Sequence, residues 1–127
     1  MTFAYWMILA AAILPYATIY LAKSGAKIDN HAPRLSLEKL KGWRRRAEWA
    51  HRNHFEAFAP FAASVIVAGL AHAPQNRIDV LAGVFILARL VYTAFYIGDK
   101  PAARSLVFVL GWICVVALFV VGASWGA

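Results

Sequence analysis

From Phe3 to Ala22 the chain runs without one charged side chain. A helix of about 20 apolar residues reaches across the hydrocarbon core of a bilayer. In lipid, backbone N–H and C=O groups must be satisfied internally, which leaves helices or closed barrels as the options. Three further long stretches follow, at about 40–71, 79–97 and 103–125. These runs predict an all-α integral membrane protein, a single domain over 1–127 folded as a four-transmembrane-helix bundle. The opening residues, MTFAYWM, lack the positive region of a cleavable signal, so the first run reads as a retained helix.

The composition agrees. With 62% hydrophobic and 15% charged residues, too little polar surface remains to cover a soluble core of this size. The net charge of +7 sits beside the apolar runs. That placement favours anionic lipid headgroups as neighbours and argues against nucleic acid. Lys23, Lys27, Arg34, Lys39, Lys41 and Arg44–Arg46 lie between the first and second runs, and Lys100 and Arg104 between the third and fourth. The other connection holds only Arg77, and the termini hold no Lys or Arg. The positive-inside rule then puts both basic connections in the cytoplasm and both termini on the opposite side. The Arg44–Arg46 cluster reads as headgroup-binding. Cys114, the single cysteine, has no intrachain partner and reads as a small buried hydrophobe.

The connection 23–39 carries Gly25, Asp29-Asn30 and Pro33, which are turn signals, and Ser36 is placed to cap a helix beginning at Leu37. Beyond it, the second helix carries Arg52, Asn53 and Glu56 into apolar sequence. A charge near the centre of a membrane helix costs roughly 2.5–3.5 kcal/mol on insertion scales. Positions i, i+1 and i+4 share a helical face, and Trp49 and Pro60 extend it by a turn each way. Such a stripe must face protein, water or a ligand. The third helix carries Arg89, Tyr92 and Tyr96 on one face, and the fourth opens with Arg104 and Ser105.

All of these stripes approach the cytoplasmic side. Facing inward, they would form one cavity of guanidiniums, a carboxylate, an amide and phenols. Guanidiniums bind carboxylates through paired hydrogen bonds, and Glu56 could take an ammonium. The set suits a small zwitterionic peptide better than a nucleotide, since no Gly-rich phosphate loop is present. The plainer alternative is that Arg52 and Glu56 neutralise each other, Asn53 bonds a neighbouring helix and the tyrosines pack. His51 and His54 stand three apart, a spacing that can hold a metal, but no third ligand accompanies them, so no metal is expected. No Ser–His–Asp or Cys–His arrangement is present. A channel is disfavoured because the charges cluster on one side.

The run Arg52-Asn53-His54-Phe55-Glu56 followed by Pro60-Phe61 closely resembles the second-helix motif of the MAPEG family, membrane-associated proteins in eicosanoid and glutathione metabolism. Arg89, Tyr92, Tyr96 and Gly98, then Arg104 and Ser105, are similar to that family's third-helix end and fourth-helix start. The Asn30–Arg34 loop and Gly42-Trp43 resemble its bacterial members, of the microsomal glutathione transferase type. The resemblance implies a homotrimer in a bacterial inner membrane (the endoplasmic reticulum if eukaryotic), with glutathione as co-substrate between subunits near the cytoplasmic surface. It implies that Arg52, Asn53 and Glu56 bind glutathione, Glu56 at the amino group. Arg89, Tyr92 and Tyr96 would line the site, with Arg104 at the sulfur and Ser105 beside it. The activity implied is transfer of glutathione to hydrophobic electrophiles, or reduction of lipid hydroperoxides.

There are departures. Trp49 stands where some active members carry a further arginine, and Tyr92 where the prostaglandin-forming member has histidine. Phe108 stands where several enzymes have a catalytic tyrosine, and phenylalanine donates no hydrogen bond. The connection from Gly98 to Arg104 is one residue shorter than in the eicosanoid enzymes. These differences speak against prostaglandin synthesis and leave a second reading open, a non-catalytic lipid- or partner-binding membrane protein on the same scaffold.

Overall fold

A computed structural model describes residues 1–126, which form five helices and, among the described residues, no strand. The helices are α1 (Phe3–Lys23), α2 (Pro33–Glu38), α3 (Gly42–Leu70), α4 (Gln75–Ile97) and α5 (Pro101–Trp125). Three of them, α1, α4 and α5, are long and apolar enough to cross a membrane. At 29 residues α3 is the longest, about 44 Å at 1.5 Å per residue. Its arginines, histidines and glutamates lower its hydropathy rather than its length.

Two side chains close the start of α1. Thr2 caps its start, and Asp79 Oδ1 accepts the Ala4 amide at 2.9 Å while also taking a hydrogen bond from Gln75 (2.8 Å). Sequence places the start of α4 near Asp79, but Pro74 supplies an earlier boundary and α4 begins at Gln75. Asp79 is thereby free to cap a different helix. Pro15 lies inside α1, and His51 Nδ1 donates to its carbonyl at 2.6 Å. Ser36 does not cap a helix at Leu37. Pro33 starts α2 earlier, and the Ser36 hydroxyl accepts the Asp29 amide at 3.0 Å. Gly42 opens α3 at φ +61°, a conformation that costs an L side chain strain and glycine nothing.

Two tight turns set the α3–α4 and α4–α5 geometry. After α3, the His72 amide bonds the Gly69 carbonyl and the Ala73 amide the Ala68 carbonyl, with His72 left-handed at φ 54°. After α4, the Asp99 amide bonds Tyr96 and the Lys100 amide bonds Phe95, with Asp99 at φ 57°. Both are the paired closure that ends many helices. The left-handed residue in the second is Asp99, not the neighbouring Gly98.

The apolar core centres on Phe61 and Phe85, stacked at 3.9 Å between centroids and 6° between planes, with Val65, Ile78, Val115 and Leu118 around them. Small residues bring the helices close, as they do where lipid removes the hydrophobic drive between helices. A Cβ on Gly122 would lie 3.2 Å from the Ala68 backbone, so α3 and α5 touch there without side chains between them. Leu70, Val80, Leu87 and Leu106 stay exposed on the outside, each more than 60% accessible, as a lipid-facing surface requires.

The Arg44–Arg46 run, expected at lipid headgroups, is half-buried and makes hydrogen bonds to backbone carbonyls of the protein. Arg44 donates twice to the Ser24 carbonyl (3.1 and 3.0 Å). Arg45 reaches the Leu37 carbonyl at 3.0 Å, tying α3 to α2. Arg46 donates to the Tyr96 and Ile97 carbonyls at 3.0–3.2 Å. A cation on carbonyls at a helix C-terminus is electrostatically favoured. The three arginines thus fasten the first turns of α3 to three other segments.

Candidate functional site

The first half of α3, the second half of α4 and the start of α5 meet at one end of the bundle. Two adjoining hollows open there. The larger, about 450 Å³, is lined by Trp49, Arg52, Asn53, Glu56, Tyr92 and Tyr96. The smaller, about 240 Å³, is lined by Tyr92, Tyr96, Arg104, Ser105 and Phe108. Tyr92 and Tyr96, one helical turn apart and packed edge to face at 5.5 Å, form the ridge between them.

On the α3 side, Asn53 is the pivot. Its amide nitrogen donates to Glu56 Oε2 at 3.0 Å, and its amide oxygen accepts from Arg89 Nη2 at 2.8 Å. Glu56 therefore presents a fixed, exposed carboxylate. Arg52 does not pair with Glu56, the i, i+4 partner expected in the plainer reading. It turns back one helical turn to Glu48, which Arg45 approaches from the other side at 3.5 Å. A glutamate four residues before its arginine is the better-oriented pair along a helix.

On the α5 side, the Arg104 guanidinium lies over the Tyr96 ring at 4.4 Å. Among the described residues it makes no ion pair or hydrogen bond, so its five donors are available to a ligand. Ser105 brings a hydroxyl to the same hollow, and Phe108 brings an apolar ring 6.2 Å from Tyr92.

Arg89 lines neither hollow. It is only 4% exposed and stands behind the wall, with its guanidinium 4.3 Å from the Tyr92 ring. It donates to Asn53 and, through Nε and Nη2, to His54 Nδ1 at 3.2 and 2.8 Å. An arginine cannot accept, so His54 Nδ1 carries no proton. The ring then holds its proton on Nε2 and donates to Thr93 Oγ1 at 2.8 Å, whose hydroxyl closes the loop on the Arg89 carbonyl at 2.9 Å. This buried circuit joins α3 to α4 and orients Asn53.

The expected residues therefore divide three ways. Arg52, Asn53, Glu56, Tyr92 and Tyr96 share one hollow, Arg104 and Ser105 share the other with the same two tyrosines, and Arg89 supports from behind. Sequence reasoning has no place for Glu48 or Thr93 and weighs His54 only as a metal ligand. Glu48 had a signal, its spacing of three from Arg45 and four from Arg52. His54 and Thr93 had none, because their partners lie 35 and 39 positions apart along the chain. The rings of His51 and His54 engage Pro15 and Arg89 separately, and among the described residues no group of three His, Cys, Asp or Glu is placed to hold a metal.

The model of the MAPEG family matches residues 3–124, nearly the whole chain. The chain belongs to the MAPEG family. With three helices able to cross a bilayer, this MAPEG protein is an integral membrane protein. Comparison with curated proteins and with solved structures gives no match. Both hollows and the Arg89 circuit lie within the span that the family match covers.

Proposed function

We propose that this MAPEG protein is a glutathione-dependent membrane transferase or peroxidase acting on hydrophobic electrophiles or lipid hydroperoxides. The paired hollow carries the reading. One lobe offers Arg52 for a carboxylate and Glu56 for an ammonium, and the adjoining lobe holds a guanidinium, Arg104, that makes no ion pair or hydrogen bond among the described residues. A tripeptide with carboxylates at its ends, an ammonium at one and a thiol between them matches that distribution of charge. Tyr92 and Tyr96 give its backbone an amphipathic wall.

In this reading α3 crosses the bilayer with α1, α4 and α5, its polar half towards the cytoplasm and both termini on the far side. Three copies assemble, and the hollows, open in one protomer, are completed at the boundary with the next. The membrane is a bacterial inner membrane. Arg104 favours the thiolate form of the bound thiol, as a nearby cation does. Ser105 supplies a hydrogen bond beside it. Arg89 acts through Asn53 rather than on the ligand. An electrophile arriving from the bilayer is attacked by sulfur and its leaving group departs with the bonding electrons. With a hydroperoxide, sulfur takes the terminal oxygen, the O–O bond breaks and the alkoxide picks up a proton. A second glutathione then forms the disulfide and releases water. Holding both partners at the interface makes either a proximity reaction.

Detergent-purified protein supplied with glutathione and a chlorodinitrobenzene substrate should turn over, and Arg104→Ala should lower the rate about a hundredfold, the usual loss when one charge-stabilising donor is removed. No turnover together with no glutathione binding by calorimetry would overturn the reading. A second reading is favoured by Phe108, an apolar ring beside Arg104 where a hydroxyl would help the chemistry. It makes the protein a non-catalytic lipid- or partner-binding member on the same scaffold.

A further inference from the structure

Glu48 is a carboxylate buried beside the site. It is 1% exposed, its Oε2 accepts no hydrogen bond among the described residues, and it takes no part in lining either hollow. A buried carboxylate is retained only where cations and hydrogen bonds compensate its desolvation. Arg45 compensates it from one side, and Arg45 is itself anchored to the Leu37 carbonyl. Arg52 compensates it from the other, through Nε alone.

That single contact decides how Arg52 can be used. A guanidinium has a side edge containing Nε and an end fork made by its two terminal nitrogens, and the fork is what meets a carboxylate with two parallel bonds. Glu48 occupies the side edge. The terminal nitrogens of Arg52 make no hydrogen bond among the described residues, and the side chain is 58% exposed at the larger hollow. Left alone, an arginine on the exposed face of a helix samples many rotamers, and ordering it on binding costs affinity. With Glu48 beneath it, the fork is held out in advance.

We propose that Glu48 is a positioning residue of the binding site, which holds Arg52 by its side so that the end fork faces a ligand carboxylate. The inference rests on the proposed glutathione reading for the identity of that ligand. It predicts that Glu48 and Arg52 act as one unit. In calorimetry on detergent-purified protein, Glu48→Ala should weaken glutathione binding about tenfold, and Arg52→Ala by at least as much. The double variant should be no worse than Arg52→Ala alone. Glu48→Gln, which keeps the shape and one acceptor for Nε, should recover part of the loss, so a fold defect in the alanine variant does not decide the outcome. Losses that add in the double variant would overturn the proposal, because independent sites add.

A ligand-free readout separates this from failure of the glutathione reading. The Nε–H signal of Arg52 in nitrogen-labelled protein should be slow to exchange in the wild type and fast in Glu48→Ala. Titration with succinate, a plain dicarboxylate, should shift the Arg52 signals in the wild type only. Succinate shifts without glutathione binding would defeat glutathione as the ligand and leave the role of Glu48 standing. No succinate shift in the wild type, or equal shifts in Glu48→Ala, would defeat the role of Glu48.

Discussion

The two halves of α3 lie on one continuous helix and are built on opposite terms. From Gly42 to Glu56 nearly every turn carries an arginine, glutamate or histidine whose polar atoms are fastened to another segment: Ser24, Leu37, Pro15, Ile97, Arg89. From Ala57 to Leu70 there is no charge, and contact is made by Phe61, Ser64, Val65 and Ala68 against the surfaces of the other helices. Directional bonds can hold a side chain at a stated angle, which a binding site needs. Close packing of small and aromatic groups holds helices together and is indifferent to what binds 15 Å or so away, about ten residues at 1.5 Å each. The first half should therefore govern the ligand and the second half the fold.

Phe61→Ala tests the second half most severely. It removes one ring of the stacked Phe61–Phe85 pair from a fully buried position and should cost about 3–5 kcal/mol, the range for deleting a core aromatic. The thermal midpoint in detergent should fall steeply, while whatever protein remains folded binds glutathione with unchanged affinity. Affinity falling in step with stability would break the comparison, since it would mean that the packed half also shapes the hollow.

Arg89→Met sits on the border between the two terms and should show both effects at smaller size. The thioether fills much of the volume, but His54 Nδ1 and the Asn53 amide oxygen lose their donor. Leaving a buried polar atom unpaired costs about 1–3 kcal/mol. Asn53, no longer fixed from behind, would also hold Glu56 less well, so glutathione affinity should drop alongside the midpoint. A fall in stability alone would move Arg89 wholly into the structural half.

Much of this division could be seen in the sequence, and the part that could not has a physical cause. Apolar runs mark membrane helices because lipid permits few other structures, so α1, α4 and α5 were legible from hydropathy. Helical spacing put Arg52, Asn53 and Glu56 on one face, and the hollow has all three. Spacing says which residues share a face and not which of two neighbours a charge prefers, so the plainer alternative pairs Arg52 with Glu56, whereas it bonds Glu48. The internal bonds of the arginine run at 44–46 are not legible, because a local pattern cannot show that carbonyls at distant chain positions wait opposite each guanidinium. Arg89 was expected in the cavity for the same reason. It lies behind the Tyr92 ring, and its depth depends on His54, which no periodicity links to it.

Glu56→Gln should have the smallest effect on the fold and is the sharpest test of the first half. The carboxylate is exposed, and its one internal bond comes from the Asn53 amide nitrogen, which the glutamine carbonyl can accept equally well. Exposed substitutions of this kind usually change stability by less than about 0.5 kcal/mol. Removing the charge takes away the one anion in the larger hollow that can meet an ammonium. Glutathione affinity should therefore fall about tenfold, as for loss of a charge-assisted hydrogen bond, with the thermal midpoint and the state of assembly unchanged. A glutathione analogue lacking the amino group should bind both proteins alike. If the substitution instead dissociates the assembled protein while leaving affinity untouched, Glu56 is a contact between copies, and the polar half of α3 holds protein as the apolar half does.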